Sequence, residues 1–444
     1  MGNLRQLLDV SHEQLRVGDD LKEQGAGLVV DECLDLLQLC EVGKARLNAE
    51  AAQGVADERH AVAEEMLRGH DVQTGCADSR EGVVDGGHSR VQGRHTRGTR
   101  NLPHSFLQVG DGGIGDTGIR GGCTASAVSA SGLNIVASKH LFGNSVSLLR
   151  DTFGNLGVET RFADFTDLNE VERLIDEGTC ALFFEIITNP QLFVADIRAL
   201  SEIAHQKGVP LIADTTIMPF STFHAKDFGI DIEVVSSTKY ISGGGTGLGG
   251  LLIDYGQFDW SASPSPALQA RTKKVGKKLA FTARVKTELV TNLGALMTPQ
   301  VAYMETLGLD SLDIRFRRQA ESALWLAREC KNIPGIRRVN YTGLDDNPFH
   351  ALSQQQFGPL PGAVFTIDLE SREAAFAFID QLQVIRRATN LFDRKSLAIH
   401  PASTIFGLFN DEQRAAMSVP DTTVRLSIGL EDPEDLLEDI KRSC

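Results

Sequence analysis

The sequence predicts an α/β fold: a mostly parallel sheet with helices on both faces, followed by a smaller C-terminal α+β domain. Three observations lead there. Short apolar runs alternate with amphipathic stretches from about residue 131 onward. The runs are apolar on consecutive residues rather than on every second one, which is the pattern of strands covered on both faces. Their polar ends, Glu185, Asp214 and Ser236, fall where an apolar run stops, and in such sheets ligands gather at the carboxyl ends of the strands.

Taken in order, LNIVAS (133–138) reads as a strand, 144–156 as a helix and 158–164 as a strand. NEVERLIDEG (169–178) is an amphipathic helix closed by Gly178, and CALFFE (180–185) a buried strand. A helix over 196–208 places Ala199, Leu200, Ile203 and Ala204 on one face, with Gly208 suited to its C′ position. VPLIAD (209–214) and IEVVSS (232–237) are further buried strands. A long helical stretch over 296–330 restarts with Asp310 as its cap. Strand 363–369, helix 372–382 and strand 423–430 make the smaller domain, and Asp432-Pro433 opens the last helix with proline at N1. The expected division is an atypical segment 1–122, an α/β domain 123–295 and an α+β domain 296–444.

The first 122 residues differ in kind. They hold one aromatic residue, Phe106, of the chain's 28, and six of its eleven histidines. A helix fits 31–46, but 71–122 shows no periodicity and buries too little apolar area to offset chain entropy, so it is expected to be loosely ordered. Gly113, Gly115 and Gly118 fit a dinucleotide fingerprint, yet SFLQVGD before them is a weak strand and glycines follow, so no nucleotide site is expected there. His88, His95 and His104 lack the spacing of metal ligands.

A formal net charge of −15 argues against nucleic acid or an anionic membrane as the main partner. No apolar run reaches the roughly 20 residues of a membrane span. The seven cysteines are scattered, without a Cys-x-x-Cys pair, which fits free thiols in the cytoplasm and no metal centre.

One stretch carries the chemistry. VVSSTKYISGGGTGLGG (234–250) sets Lys239 between hydroxyls and bare backbone, just after a strand. A lysine amine bonds an aldehyde, an aspartate keeps a ring nitrogen protonated, and hydroxyls with turn amides hold a phosphate: these are the needs of a pyridoxal phosphate site. A P-loop is excluded by order, because there the lysine follows the glycines. Each residue has a plainer reading. Asp214 suits a cap, Asn189 before Pro190 a turn and Ser396 a loop, while Arg425 alternates with apolar neighbours like a solvent-facing strand residue.

SSTKY (236–240), ADTT (213–216) and EIITNPQL (185–192) resemble the Cys/Met-metabolism family of pyridoxal-phosphate enzymes, within it the O-acetylhomoserine sulfhydrylases. NIVASKHLFGN (134–144), RATNLFDRKSLAIHPAST (387–404) and TVRLSIGLED (423–432) extend the resemblance over about 131–444. It implies fold type I, with Lys239 as the Schiff-base lysine and proton shuttle and Asp214 paired to the ring nitrogen. It further implies Ser236 and Thr238 on the phosphate, Asn189 on the phenolic oxygen, Thr216 beside the ring and Phe142 stacked over it. Arg425 would clamp the substrate carboxylate, assisted by the backbone near Ser396. The implied activity is γ-replacement on O-acetyl-L-homoserine by sulfide or a thiol, in a cytoplasmic homo-oligomer acting on a small amino acid. A γ- or β-lyase of the same family is the sibling alternative.

Three departures stand out. Phe142 replaces a tyrosine, losing its hydroxyl, and Thr215 replaces an asparagine. Residues 1–122 show neither the Tyr-Ser-Arg-like segment nor the Ser-Gly-Met-like turn that contact the phosphate in the family. At roughly 1.5–3 kcal/mol per charged hydrogen bond, their loss weakens cofactor binding by several kcal/mol. A truncated, non-catalytic relative is therefore the third reading.

Overall fold

A computed structural model describes the backbone of residues 105–110 and, in full, residues 124–444. The expected helix over 31–46, the glycine fingerprint and His88, His95 and His104 lie outside the described residues.

Seven strands form the larger sheet: β1 (Ser105–Gly110), β2 (Asn134–Ser138), β3 (Glu159–Ala163), β4 (Thr179–Glu185), β5 (Leu211–Asp214), β6 (Ile232–Ser236) and β7 (Gly249–Asp254). Their order is β1-β7-β6-β5-β4-β2-β3. From β3 through β6 the pairs are parallel, while β7 is antiparallel to β6 and β1 to β7. Strand β1 falls within the stretch 71–122 that shows no periodicity, on the SFLQVGD segment read as a weak strand. An otherwise bare edge offers a row of unpaired backbone groups, and Ser105–Gly110 takes up the ladder of β7.

Strand alternation explains the consecutive apolar runs. Val136, Leu182, Phe184, Leu211, Ala213 and Val235 join one core, which includes Leu200 and Ala204. Ile135, Ala137, Ala181, Phe183, Ile212 and Val234 join a second core, with Trp260 and Phe281. Successive side chains thus enter opposite, equally covered faces.

The connecting helices are α1 (Gly143–Ser147), continued by a wider turn over Leu148–Phe153, then α2 (Leu168–Leu174) and α3 (Ile197–Gln206). Helix α2 ends before Gly178: Ile175 is already extended, because Asp176 is held by Asn134 and Arg161 and accepts the Gly178 amide. Helix α3 starts at the Asp196 cap, and Gly208 has the expected positive φ of 69°. The predicted 296–330 stretch is two helices, α4 (Pro299–Leu309) and α5 (Leu312–Cys330). Ser311, not Asp310, stands at the start of α5, and Asp310 closes α4.

A second sheet, in the order β10-β11-β12-β9-β8, contains β8 (Arg338–Asn340), β9 (Val364–Asp368), β10 (Arg386–Arg387), β11 (Leu397–Ile399) and β12 (Thr423–Ser427). Helices α6 (Arg372–Gln381) and α7 (Pro433–Ser443) accompany it, with Pro433 in the first turn of α7. The residues of β12 are buried on both faces, so Arg425 is 1% exposed rather than solvent-facing.

Candidate active site

Parallel register brings the polar strand ends together. Glu185 pairs with Asp214 across β4 and β5, and Asp214 with Val234 across β5 and β6. Beyond Ser236 the chain makes a wide helical turn over Ser237–Ile241 that carries Lys239, whose ψ of −116° is not helical. That turn is closed by Ser242 N–H donating to Ser237 O at 2.8 Å and Gly243 N–H to Lys239 O at 3.0 Å. Gly243 has φ of 69°, and a Cβ there would lie 2.6 Å from Cζ of Arg315. Arg315 is buried and donates to the carbonyls of Tyr240 and Gly308, each at 2.7 Å, which pins the segment just past the lysine.

A cleft of about 880 Å³ opens at this rim. Phe142, Asn189, Asp214, Thr216, Thr238 and Lys239 all line it. The lysine and the aspartate therefore share one cavity, as the sequence reading requires. The Asp214 carboxylate accepts the Thr216 amide at 2.9 Å, and the Thr216 hydroxyl accepts the Ser236 amide at 2.8 Å, linking β5 to β6. Thr238 Oγ1 accepts the Gly249 amide at 3.0 Å. Thr215 points away from the cleft and donates to the buried Glu233, which also accepts from Tyr255. Burial raises the Glu233 carboxyl, and it raises Glu185 to about 8 with Asp214 adding repulsion.

Lys239 Nζ donates to Asn390 Oδ1 at 2.8 Å, from the loop between β10 and β11. Asp393 accepts from the other end of that amide at 3.4 Å. A donor-only ammonium and an acceptor-only carboxylate fix which way the amide points. Arg425 lies behind this loop, donating to Asn189 Oδ1 at 3.2 Å and to the carbonyls of Thr389 and Asn390 at 3.0 Å. Burial lowers its pKa. Ser396 is fully buried away from the cleft lining: its amide and hydroxyl donate to Glu431, and its hydroxyl accepts the Gly429 amide. Neither Asn390 nor Arg315 is singled out by sequence reasoning. Asn390 lies inside the 387–404 motif, but its partner is 151 positions away.

The chain belongs to the Cys/Met metabolism family of pyridoxal-phosphate-dependent enzymes, whose profile matches residues 115–444. Pyridoxal phosphate is thus its cofactor. The relatives are more particular. An O-acetyl-L-homoserine sulfhydrylase of Corynebacterium glutamicum is 32% identical over 71% of this chain and 75% of that protein. O-acetyl-L-homoserine sulfhydrylase 1 of Thermus thermophilus is 34% identical over 72% and 78%. Among solved structures, the O-acetylhomoserine sulfhydrylase of Wolinella succinogenes has a TM-score of 0.67 and 39% identity over 77% of this chain and 92% of its own. A putative O-acetylhomoserine (thiol)-lyase of Campylobacter jejuni, which carries a pyridoxyl-lysine monophosphate, has a TM-score of 0.71 and 30% identity over 77% and 83%.

The residues present fit the cofactor. Besides the amine and the carboxylate, Ser236 Oγ, just before the turn that carries Lys239, and Nε of Arg425 are among the twelve buried side-chain polar atoms without a hydrogen-bond partner among the described residues. Buried polar atoms are rarely left unpaired without a reason, and an anion satisfies both.

Proposed function

We propose that this chain replaces the γ-substituent of O-acetyl-L-homoserine with sulfide or a thiol, giving homocysteine or methionine. The observation that carries this reading is the single cleft lined by Lys239 and Asp214 and backed by Arg425 through Asn189 and Asn390. When bound, pyridoxal phosphate supplies an electron sink for the carbanion formed at the substrate's Cα.

The chain's own residues supply the rest. Lys239 would bond the cofactor's aldehyde and, with substrate bound, would move protons at the substrate's Cα and Cβ. Asp214 would pair with the ring nitrogen. Ser236 and Thr238 would hold the phosphate and Asn189 the phenolic oxygen, with Thr216 and Phe142 beside the ring. Arg425 receives the α-carboxylate, with Ser396 holding the neighbouring backbone in place. Residues 123–295 and 296–444 act as two domains, the second supplying Asn390 and Arg425.

The chain works as a homo-oligomer. In support, Leu248 is on the cleft and 52% exposed, and Leu293, Tyr303, Leu307 and Ile314 are exposed farther along. Such apolar groups favour a protein partner. The site is set in the cytoplasm, and no helix among the described residues is long and apolar enough to cross a membrane.

The test is O-acetyl-L-homoserine with sulfide, wild type beside Lys239→Ala. Wild type releases acetate with a thiol amino acid, and the variant does neither. Ammonia and a 2-oxo acid in place of the thiol amino acid identify the lyase instead. The absent N-terminal phosphate motifs and Phe142 favour the non-catalytic reading, and wild-type protein that develops no visible absorbance with the cofactor establishes it.

A further inference from the structure

Glu185 has no role in the scheme above, yet its surroundings are unusual for a carboxyl group. It ends β4 directly beside Asp214 in the parallel register. Alternation along the two strands puts both on the face of Phe183 and Ile212, and both line the cleft. Glu185 is 8% exposed. Burial with Asp214 alongside disfavours a second negative charge there.

What Glu185 binds is backbone. Its Oε1 accepts the Phe142 amide at 2.7 Å, across 43 positions of sequence. The Asn189 amide faces the same carboxyl and favours its charged form. Phe142 stands at the N-cap of α1 without a side-chain capping bond of its own. Its amide is therefore held from across the fold rather than locally. One short carboxyl side chain thus joins two cleft segments, the one bearing Phe142 and the one bearing Asn189.

We propose that Glu185 is a positioning residue that ties the Phe142 segment to the Asn189 segment and so sets the tilt of the cofactor ring between them. The inference rests on the roles proposed above for Phe142 and Asn189. A ring mis-set by a fraction of an ångström still binds, but its reacting carbon is misaligned with the Lys239 amine.

The experiment uses the full-length protein loaded with pyridoxal phosphate. It reads visible circular dichroism per bound cofactor, a measure of ring orientation, together with kcat and KM. Glu185→Ala loses more than half of the dichroism per bound cofactor. Its kcat falls roughly 10- to 100-fold, the usual consequence of small misplacement, with little change in KM. Glu185→Gln, whose amide oxygen still accepts from Phe142, restores most of both. Should the alanine variant fail to fold, Glu185→Asp serves: it keeps the carboxyl group but retracts it by one methylene, and the dichroism falls in the same way. Variants with lowered Tm but wild-type dichroism and kcat overturn the proposal and leave Glu185 a packing residue. A wild-type protein with no visible band sinks the parent reading and this one with it, whereas a wild-type band with unaltered variants sinks this inference alone.

Discussion

Replacing Asp439 by alanine tests how the loop that reaches Lys239 is anchored. Asp439 is 1% exposed on α7. Its carboxylate accepts three consecutive amides, from Gln383, Val384 and Ile385, each at 2.9 Å. Those residues lead into β10 and the loop bearing Asn390. Ile385 is buried, so its amide would be stranded without water. The lost charge-assisted bond together with the orphaned donor costs about 3 kcal/mol. Gln383 and Val384 are exposed, and water replaces their acceptor at roughly 0.5–1 kcal/mol each. The Arg442 partner is half-exposed and adds little. The expected loss is about 4–5 kcal/mol. Asp439→Asn can turn its oxygen toward Val384 and Ile385, confining the damage to the exposed Gln383, so about 1–2 kcal/mol is expected. Urea unfolding followed by far-UV circular dichroism gives both numbers, provided the m-value is unchanged. A loss below about 1 kcal/mol for the alanine variant refutes the assigned anchoring role.

Two further predictions rest on single contacts. Gly243→Ala strains a φ of 69° and drives a methyl into the Arg315 guanidinium; a loss of about 1–3 kcal/mol is expected in the same unfolding assay, with weaker capture of pyridoxal phosphate. His205 is hydrogen-bonded to the buried Asp231, which raises its pKa. The folded protein thus holds that proton more tightly than the unfolded chain. The stabilisation is complete below the ordinary histidine value and fades as pH climbs through the raised one. The urea midpoint gap between wild type and His205→Gln is therefore larger near pH 5 than near pH 8, at about the two ends of the histidine range; a gap that does not change with pH refutes the assignment.

Much of the fold was legible because local pattern and burial agree. The runs ending in Glu185, Asp214 and Ser236 are buried strands, and their ends do meet. The limits are equally specific. Asp310 and Ser311 are adjacent polar residues, and only the helix geometry decides which of them starts α5. The alternation around Arg425 suggested a solvated face, since a pattern of period two does not reveal that the other face is also covered. Strand β1 reads only weakly in the sequence, because its pairing with β7, rather than its composition, makes it a strand.

The order of residues alone determined which groups are reactive: one amine after a strand, one carboxylate at the end of another, and the rim on which both must stand. That follows from period and chain direction, which are local properties. Tertiary structure decided who faces them. Asn390 at the lysine, Arg425 behind Asn189 and Glu185 under Phe142 are joined across 151, 236 and 43 positions. Contacts closed over such distances depend on packing and register, to which no short window of sequence is sensitive.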